Sequence, residues 1–216
     1  YCNIKFTILG AEESCTGDPA KRAGNEFAFM MQAIQNIELL KGYEIQKIVT
    51  GCPHCFNTLK NEYPELGADF EVVHHTQLIN QLIREGRLLL KGGGKFEGKK
   101  ITFHDPCYLG RANDVYEAPR EVLEKLDAEL VEMKRSKAKG LCCGAGGAQM
   151  FKDAEKGNKE INIERTEDAI EVNADYIATG CPFCNTMMTD GIKHFEKEEK
   201  VKVLDIAELI SNAADL

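Results

Sequence analysis

The chain has 216 residues, 43% of them hydrophobic, which is enough for one or two domains with real cores. A formal net charge of -8 argues against nucleic acid or an anionic membrane surface as partner, since both call for a basic face. No apolar run approaches the roughly 18 to 20 residues that cross a bilayer, and no charged-then-apolar signal segment opens the chain, so a cytoplasmic location without membrane insertion is the default expectation.

Residues 5–9 read as a short strand ending at Gly10 and leading into a loop that carries Cys15. Asp18 and Pro19 then supply a cap and a first helical position. The helical spacing of Phe27, Met30, Met31, Ile34, Ile37 and Leu40 predicts one helix to Gly42 with those residues facing the core. Residues 45–50 read as a buried parallel strand with Cys52 and Cys55 at its carboxyl end, before a helix starting near Asn57. A strand over 71–75 and a helix over 77–84 follow. Lys91 and the three glycines after it mark a boundary. Beyond it the plan repeats: strand 100–104, the Cys107 loop, a helix to Leu126, strand 129–133, the Cys142–Cys143 loop, an Ile- and Glu-rich helix, strand 176–178, Cys181 and Cys184, strand 201–204 and a helix over 205–212. Such alternation predicts an α/β fold with cysteine loops at strand carboxyl ends, where open α/β sheets place their ligand sites.

Nine cysteines are too many to be incidental. A disulfide framework fits poorly, because the count is odd and the chain is rich in helix. Adjacent Cys142 and Cys143 cannot bridge each other in relaxed geometry. Thiolates converging in this number suit soft metals, iron-sulfur clusters or zinc. Zinc needs four ligands, so a fifth sulfur weighs toward iron.

The cysteines also repeat. Gly51-Cys52-Pro53-His54-Cys55 returns as Gly180-Cys181-Pro182-Phe183-Cys184, an offset of 129, and Ser14-Cys15-Thr16-Gly17 returns as Cys142-Cys143-Gly144 at an offset of 128. The expectation is a tandem pseudo-twofold repeat of two small open parallel-sheet βα units. By the same offset the first copy's counterpart of Cys107 falls about twenty residues upstream of Tyr1, so the chain reads as N-terminally incomplete.

These motifs resemble the cysteine-rich CCG domain of the heterodisulfide reductase B subunit and its relatives, most specifically in His104-Asp105-Pro106-Cys107, in Cys142-Cys143-Gly144 and in Gly180-Cys181-Pro182-Phe183-Cys184. The subfamily it looks like is an iron-sulfur oxidoreductase that accompanies acyl-CoA or other flavin dehydrogenases. The resemblance implies two halves, residues 1–92 with an incomplete motif and 93–216 with a complete one. It implies ligand roles for Cys107, Cys142, Cys143, Cys181 and Cys184 on a [4Fe-4S] cluster of the noncubane kind. In the first half Cys15, Cys52 and Cys55 match, with Ser14 in place of a cysteine, which leaves a site for an ordinary cluster, for zinc or for nothing.

Function follows as an expectation: an electron-transfer subunit exchanging electrons with a ferredoxin-type iron-sulfur protein or a flavoprotein dehydrogenase. The alternative is a zinc-stabilised interaction module without a redox role. His104 is weighed as a structural residue or a proton donor coupled to redox. His74 and His75 are weighed as packing residues or as the missing ligand of the first site, Cys2 as a small buried hydrophobe, and Arg111 and Lys152 as solvated charges or as a clamp for an anionic thiol.

Overall fold

The structure, a computed structural model, describes residues 1–90, 94–153 and 156–216. The first half contains α1 (Asp18–Arg22), α2 (Glu26–Gly42), β1 (Lys47–Thr50), α3 (Pro53–Asn57), β2 (Glu71–His74) and α4 (His75–Arg84). The second contains β3 (Lys100–Phe103), α5 (Glu117–Leu123), β4 (Glu129–Leu130), α6 (Ile161–Glu171), β5 (Tyr176–Thr179), α7 (Pro182–His194), β6 (Lys202–Asp205) and α8 (Ile206–Ala213). Among the described residues no helix is long and apolar enough to cross a membrane.

Both sheets are parallel, as short βαβ crossovers require. β1 pairs with β2, Lys47 opposite Glu71, and the other sheet runs β4-β3-β5-β6. The unit β1-α3-β2-α4 recurs as β5-α7-β6-α8. In each copy a strand ends at a glycine, the cysteine caps a helix, and proline opens that helix, where its missing N–H costs nothing. In each copy the last helix also begins with a capping box. His74 and Gln77 form one; in the other, Asp205 accepts from the Ala207 amide at 2.8 Å while Glu208 accepts from the Asp205 amide at 2.7 Å.

Period-two alternation places neighbouring residues of β5 on opposite faces. Ala178 joins Ile101, Phe103, Val122 and Leu209 on one side, and Ile177 joins Met133, Ala169, Met188 and Ile192 on the other. The core on the Ala178 side takes Leu82 and Leu88 from the first half. Leu109, just after Cys107, in turn enters the first-half core of Phe29, Phe56, Leu59 and Tyr63. Apolar burial therefore stitches the halves together, at roughly 1.5 to 3 kcal/mol per fully buried large side chain. The boundary read at Lys91, Gly92 and Gly93 lies outside the described residues.

Five expectations need correction. Residues 45–50 are not a buried strand: β1 alternates exposed and half-buried residues, with Val49 exposed. Residues 5–9 form no strand: Phe6 and Ile8 are exposed and no neighbouring strand pairs with them, so their backbone groups gain nothing from extension. The helix foreseen from Asp18 to Gly42 is two helices, broken where Gly24 takes a left-handed φ of +82° and Asn25 recaps the chain by accepting from the Ala28 amide. The buried face of α2 is Phe29, Ala33, Asn36 and Ile37, while Phe27, Met30, Met31 and Ile34 are exposed. Asn36 sets that rotation, since its amide donates to the Cys15 carbonyl at 2.9 Å and to the Tyr63 hydroxyl at 3.0 Å. Finally, the helix placed near Asn57 already starts at Pro53 and runs into a π turn over Thr58–Glu62.

Gly191 sets the closeness of α6, which follows the Cys142–Cys143 loop, and α7, which begins at the Cys181–Cys184 turn. A methyl group there would come within 2.8 Å of the Thr166 Cβ. Gly191→Ala should therefore destabilise the fold by about 1 to 3 kcal/mol, and Thr166→Ala in the same chain should recover part of the loss. Urea midpoints of the single and double variants check this; an unchanged midpoint for Gly191→Ala would show that the helices separate freely.

Candidate metal centre

Three segments meet at the carboxyl end of the second sheet. β3 delivers His104, Asp105 and Cys107; the loop before α6 delivers Cys142 and Cys143; β5 and the first turn of α7 deliver Cys181 and Cys184. Asp105 fixes the first of these. Buried with Arg120, it accepts from that guanidinium at 2.8 and 3.0 Å and from the Lys137 amide at 2.7 Å, tying the Cys107 segment to α5 and to the approach to Cys142. Arg111 donates to the Gly140 carbonyl, which closes the same gap, and the residue is exposed. Lys152 is exposed, as a solvated charge should be.

The Cys142–Cys143 loop turns on Gly144, whose φ is +93° and whose missing Cβ would lie 3.3 Å from the Ile161 Cβ. Its amide donates to the Cys142 sulfur at 3.4 Å. The first half reproduces this detail. Gly17 has a φ of +87°, and its amide donates to the Cys15 sulfur at 3.4 Å.

The match shifts the sequence register by one residue. Cys15 corresponds to Cys142, and Thr16, not Ser14, stands where the second cysteine of the pair would be. Thr16 confirms the shift by donating its hydroxyl to the Cys55 sulfur at 3.5 Å, as Cys143 lies against Cys184 in the second half.

The thiols form one continuous run: Cys107 and Cys143 adjoin Cys142, Cys184 adjoins Cys143 and Cys181, Cys52 adjoins Cys181, and Cys55 adjoins Cys52. Among crowded sulfurs some become acidic at the expense of their neighbours. Cys107 and Cys143 beside it hold the Cys142 thiol far below its ordinary range, and Cys184 and Cys52 beside it bring Cys181 down to about 5. Cys143 is pushed up to about 12, first by Cys142, and Cys52 up to about 12, first by Cys181. Cys143, Cys181 and Cys184 are buried, with Met150, Phe183 and Met187 packed beside them.

All five second-half candidates are thus brought together. Of the first-half candidates, Cys52 and Cys55 join the run, and Cys15 sits on its own loop, braced by Asn36. The two turns meet directly, for the Cys52 thiol lies against Cys181 and the His54 ring stands edge-on to Phe183 with centroids 5.2 Å apart. Cys2 lies outside both sites, half-buried against the main core.

Buried histidines add features the sequence does not make plain. His54 Nδ1 pairs with Asp18 Oδ2 at 2.9 Å; burial opposes ionisation of Asp18, but His54 and Arg22 outweigh it and hold the carboxyl below its usual range. His74 Nδ1 is taken up by the Thr76 hydroxyl at 2.8 Å, so His74 is a packing and capping residue. Its Cε1 would lie 3.4 Å from a Cβ on Gly180, and His75 Nδ1 would lie 3.5 Å from one on Gly51. His75 itself reaches across the halves to Asp205 at 2.9 Å. His104 Nδ1 accepts from Arg165 Nε at 3.0 Å, and the histidine shares a group with Cys143 and Cys184 whose ligand atoms all lie within 4.8 Å of one another. Pairing of His104 with Arg165 across 61 positions leaves no local signal in a sequence.

Comparison with known proteins gives the family. The cysteine-rich CCG domain family matches residues 2–60 and 101–189. The chain is 45% identical, over 99% of its length and 30% of the other's, to the probable iron-sulfur-binding oxidoreductase FadF of Bacillus subtilis (strain 168). It is 42% identical, over 98% of its length and 30% of the other's, to the EtfAB:quinone oxidoreductase of Syntrophomonas wolfei. With the D subunit of the dihydromethanophenazine:CoB--CoM heterodisulfide reductase of Methanosarcina barkeri it shares 36% identity over 99% of its length and 52% of the other's. The chain therefore spans about a third to a half of the length of these relatives.

Burial holds both His74 and His104 neutral, each down to about 3. Their contribution to stability is complete above the ordinary imidazole value near 6.5 and is lost as pH falls toward 3, because the unfolded chain takes up protons that the folded one refuses. Metal-free protein should lose about 2 kcal/mol per imidazole between pH 7 and pH 5, and His74→Asn, which keeps a cap acceptor, should flatten the slope by one share. Urea unfolding at the two pH values measures it; equal stability at both would show that these imidazoles protonate in place.

Proposed function

Because the chain belongs to the cysteine-rich CCG domain family, we propose that it is the iron-sulfur electron-transfer part of an oxidoreductase, with its cluster held by Cys107, Cys142, Cys143, Cys181 and Cys184. One observation carries this reading: five thiols from three segments of the chain adjoin one another, and two of the sulfurs already favour the thiolate. Thiolate is the form that binds soft metals, so deprotonation on loading costs little at Cys142 and Cys181. Five sulfurs exceed what zinc uses.

The chain's own groups suit the task. The Gly144 amide already donates to a ligand sulfur, a contact that tunes potential. The thirteen-residue helix α7 turns its amino end toward Cys181 and Cys184, favouring negative charge there. Met150, Phe183 and Met187 keep water from the sulfurs. A cluster bound here supplies a redox couple of the [4Fe-4S] type, and the fifth cysteine favours the noncubane form.

The halves, 1–92 and 93–216, are unequal in this respect. Cys15, Cys52 and Cys55 offer three thiolates and Thr16 a hydroxyl, a weaker set for iron and one for which zinc is the alternative. Names of relatives such as EtfAB:quinone oxidoreductase and the D subunit of heterodisulfide reductase support a role in relaying electrons between redox partners. For this chain we propose a flavoprotein dehydrogenase or a ferredoxin-type protein as the exchange partner, in the cytoplasm.

Single variants purified without oxygen separate the sites. Cys143→Ser and Cys181→Ser should abolish the cluster's low-temperature paramagnetic signal, since serine is a harder and far less acidic ligand. Cys52→Ser and Cys55→Ser should leave the signal in place, and Cys2→Ser should cost only about 1 kcal/mol of stability. Loss of the whole signal in Cys52→Ser would put the cluster in the other half, and zinc without iron or sulfide in the parent protein would leave an interaction module instead.

A further inference from the structure

We propose that His104 is a hydrogen-bond donor to the sulfurs of Cys143 and Cys184, not a metal ligand, and that Arg165 fixes it in that role. The inference rests on the cluster reading above and concerns how that site is tuned.

One group beside the sulfurs has no choice of role. A guanidinium only donates, so the Arg165 Nε–H held 3.0 Å from His104 Nδ1 requires a lone pair on that nitrogen. Arg165 cannot turn away. It is completely buried, and its Nη1 donates to the Arg135 carbonyl at 2.6 Å and to Asp168 at 3.1 Å, while Asp168 is itself held by Arg135 at 2.6 and 2.9 Å. The imidazole is anchored as well, since the His104 amide donates to the Ala178 carbonyl at 3.0 Å at the end of β3.

With its lone pair committed at Nδ1, a neutral imidazole carries its hydrogen on Nε2. That nitrogen is buried and has no hydrogen-bond partner among the described residues. An unsatisfied buried donor costs about 1 to 3 kcal/mol, and folded proteins rarely keep one without a use. One ring nitrogen of His104 lies within 4.8 Å of the Cys143 and Cys184 sulfurs, and with Nδ1 taken by Arg165 the nitrogen left to serve them is Nε2. As thiolates these sulfurs accept hydrogen bonds.

Ligation through Nε2 would move the hydrogen to Nδ1, setting two N–H donors against each other at the 3.0 Å contact with Arg165. The buried guanidinium thus selects donation over coordination. An N–H directed at ligand sulfur draws off electron density and raises the reduction potential.

Paramagnetically monitored redox titration of anaerobic protein tests the idea, with His104→Leu to remove the donor and His104→Gln to restore an N–H at similar reach. His104→Leu should keep its iron and sulfide and shift the one-electron equilibrium about tenfold toward the oxidised form, a fall of about 59 mV. His104→Gln should recover part of the shift. Unchanged potential at full iron content overturns the donor role alone, loss of iron from well-folded His104→Leu makes His104 a ligand, and parent protein without iron and sulfide sinks this inference together with the cluster reading. If both variants fail to fold, the parent protein labelled with ¹⁵N-histidine decides through its pulsed paramagnetic spectrum. A weak nitrogen coupling accompanied by an exchangeable proton supports donation, and a strong coupling of a bound nitrogen, or none, overturns it.

Discussion

Sulfurs pressed edge to edge away from water can neither all keep their protons nor all lose them. In this chain the conflict is resolved unevenly: Cys142, beside Cys107 and Cys143, and Cys181, beside Cys184 and Cys52, favour the thiolate while their neighbours keep their protons. Concentrated negative charge of that kind is expensive in a poorly solvated pocket, and a cation satisfies it better than shared protons do. The surrounding structure follows from holding the sulfurs there. Arg120 with Asp105 and Arg165 with Asp168 are buried ion pairs, a costly device in a core, and each braces the segment that carries Cys107. Removing one partner of such a pair strands a buried charge, typically at about 3 to 5 kcal/mol.

The duplicated plan explains where the sites lie, and its divergence explains why they differ. Each half offers strand, glycine, Cys-Pro turn and helix, and each closes a Cys-x-Gly turn with an amide on sulfur. Thr16 then occupies the place of Cys143, so the first half keeps the geometry of the motif and gives up one soft donor. Contact between Cys52 and Cys181, and between His54 and Phe183, brings the intact and altered sites against each other.

The Cys-Pro turns and the parallel βα order are legible in the sequence because they rest on local chemistry: proline at a helix start and β-branched residues in the strand before it. Other features are not. The helix α2 has apolar residues on more than one face, and its rotation is decided by Asn36 bonding to Cys15 and Tyr63, a contact that periodicity does not see. Residues 5–9 have the composition of a strand and lack the partner that makes one. The Thr16 register is within reach, since Cys15-Thr16-Gly17 and Cys142-Cys143-Gly144 share the Cys-x-Gly spacing, but aligning Cys15 with the second of the adjacent cysteines favours Ser14. The tautomer of His104 depends on Arg165, far along the chain, and needs the fold.

Crystals grown without oxygen and measured at the iron absorption edge test the central claim most directly. The predicted result is anomalous iron density in bonding contact with Cys107, Cys142, Cys143, Cys181 and Cys184, with the His104 imidazole beside it and unbound. Iron centred on Cys15, Cys52 and Cys55, or density at the second-half sulfurs that appears only at the zinc edge, would contradict it.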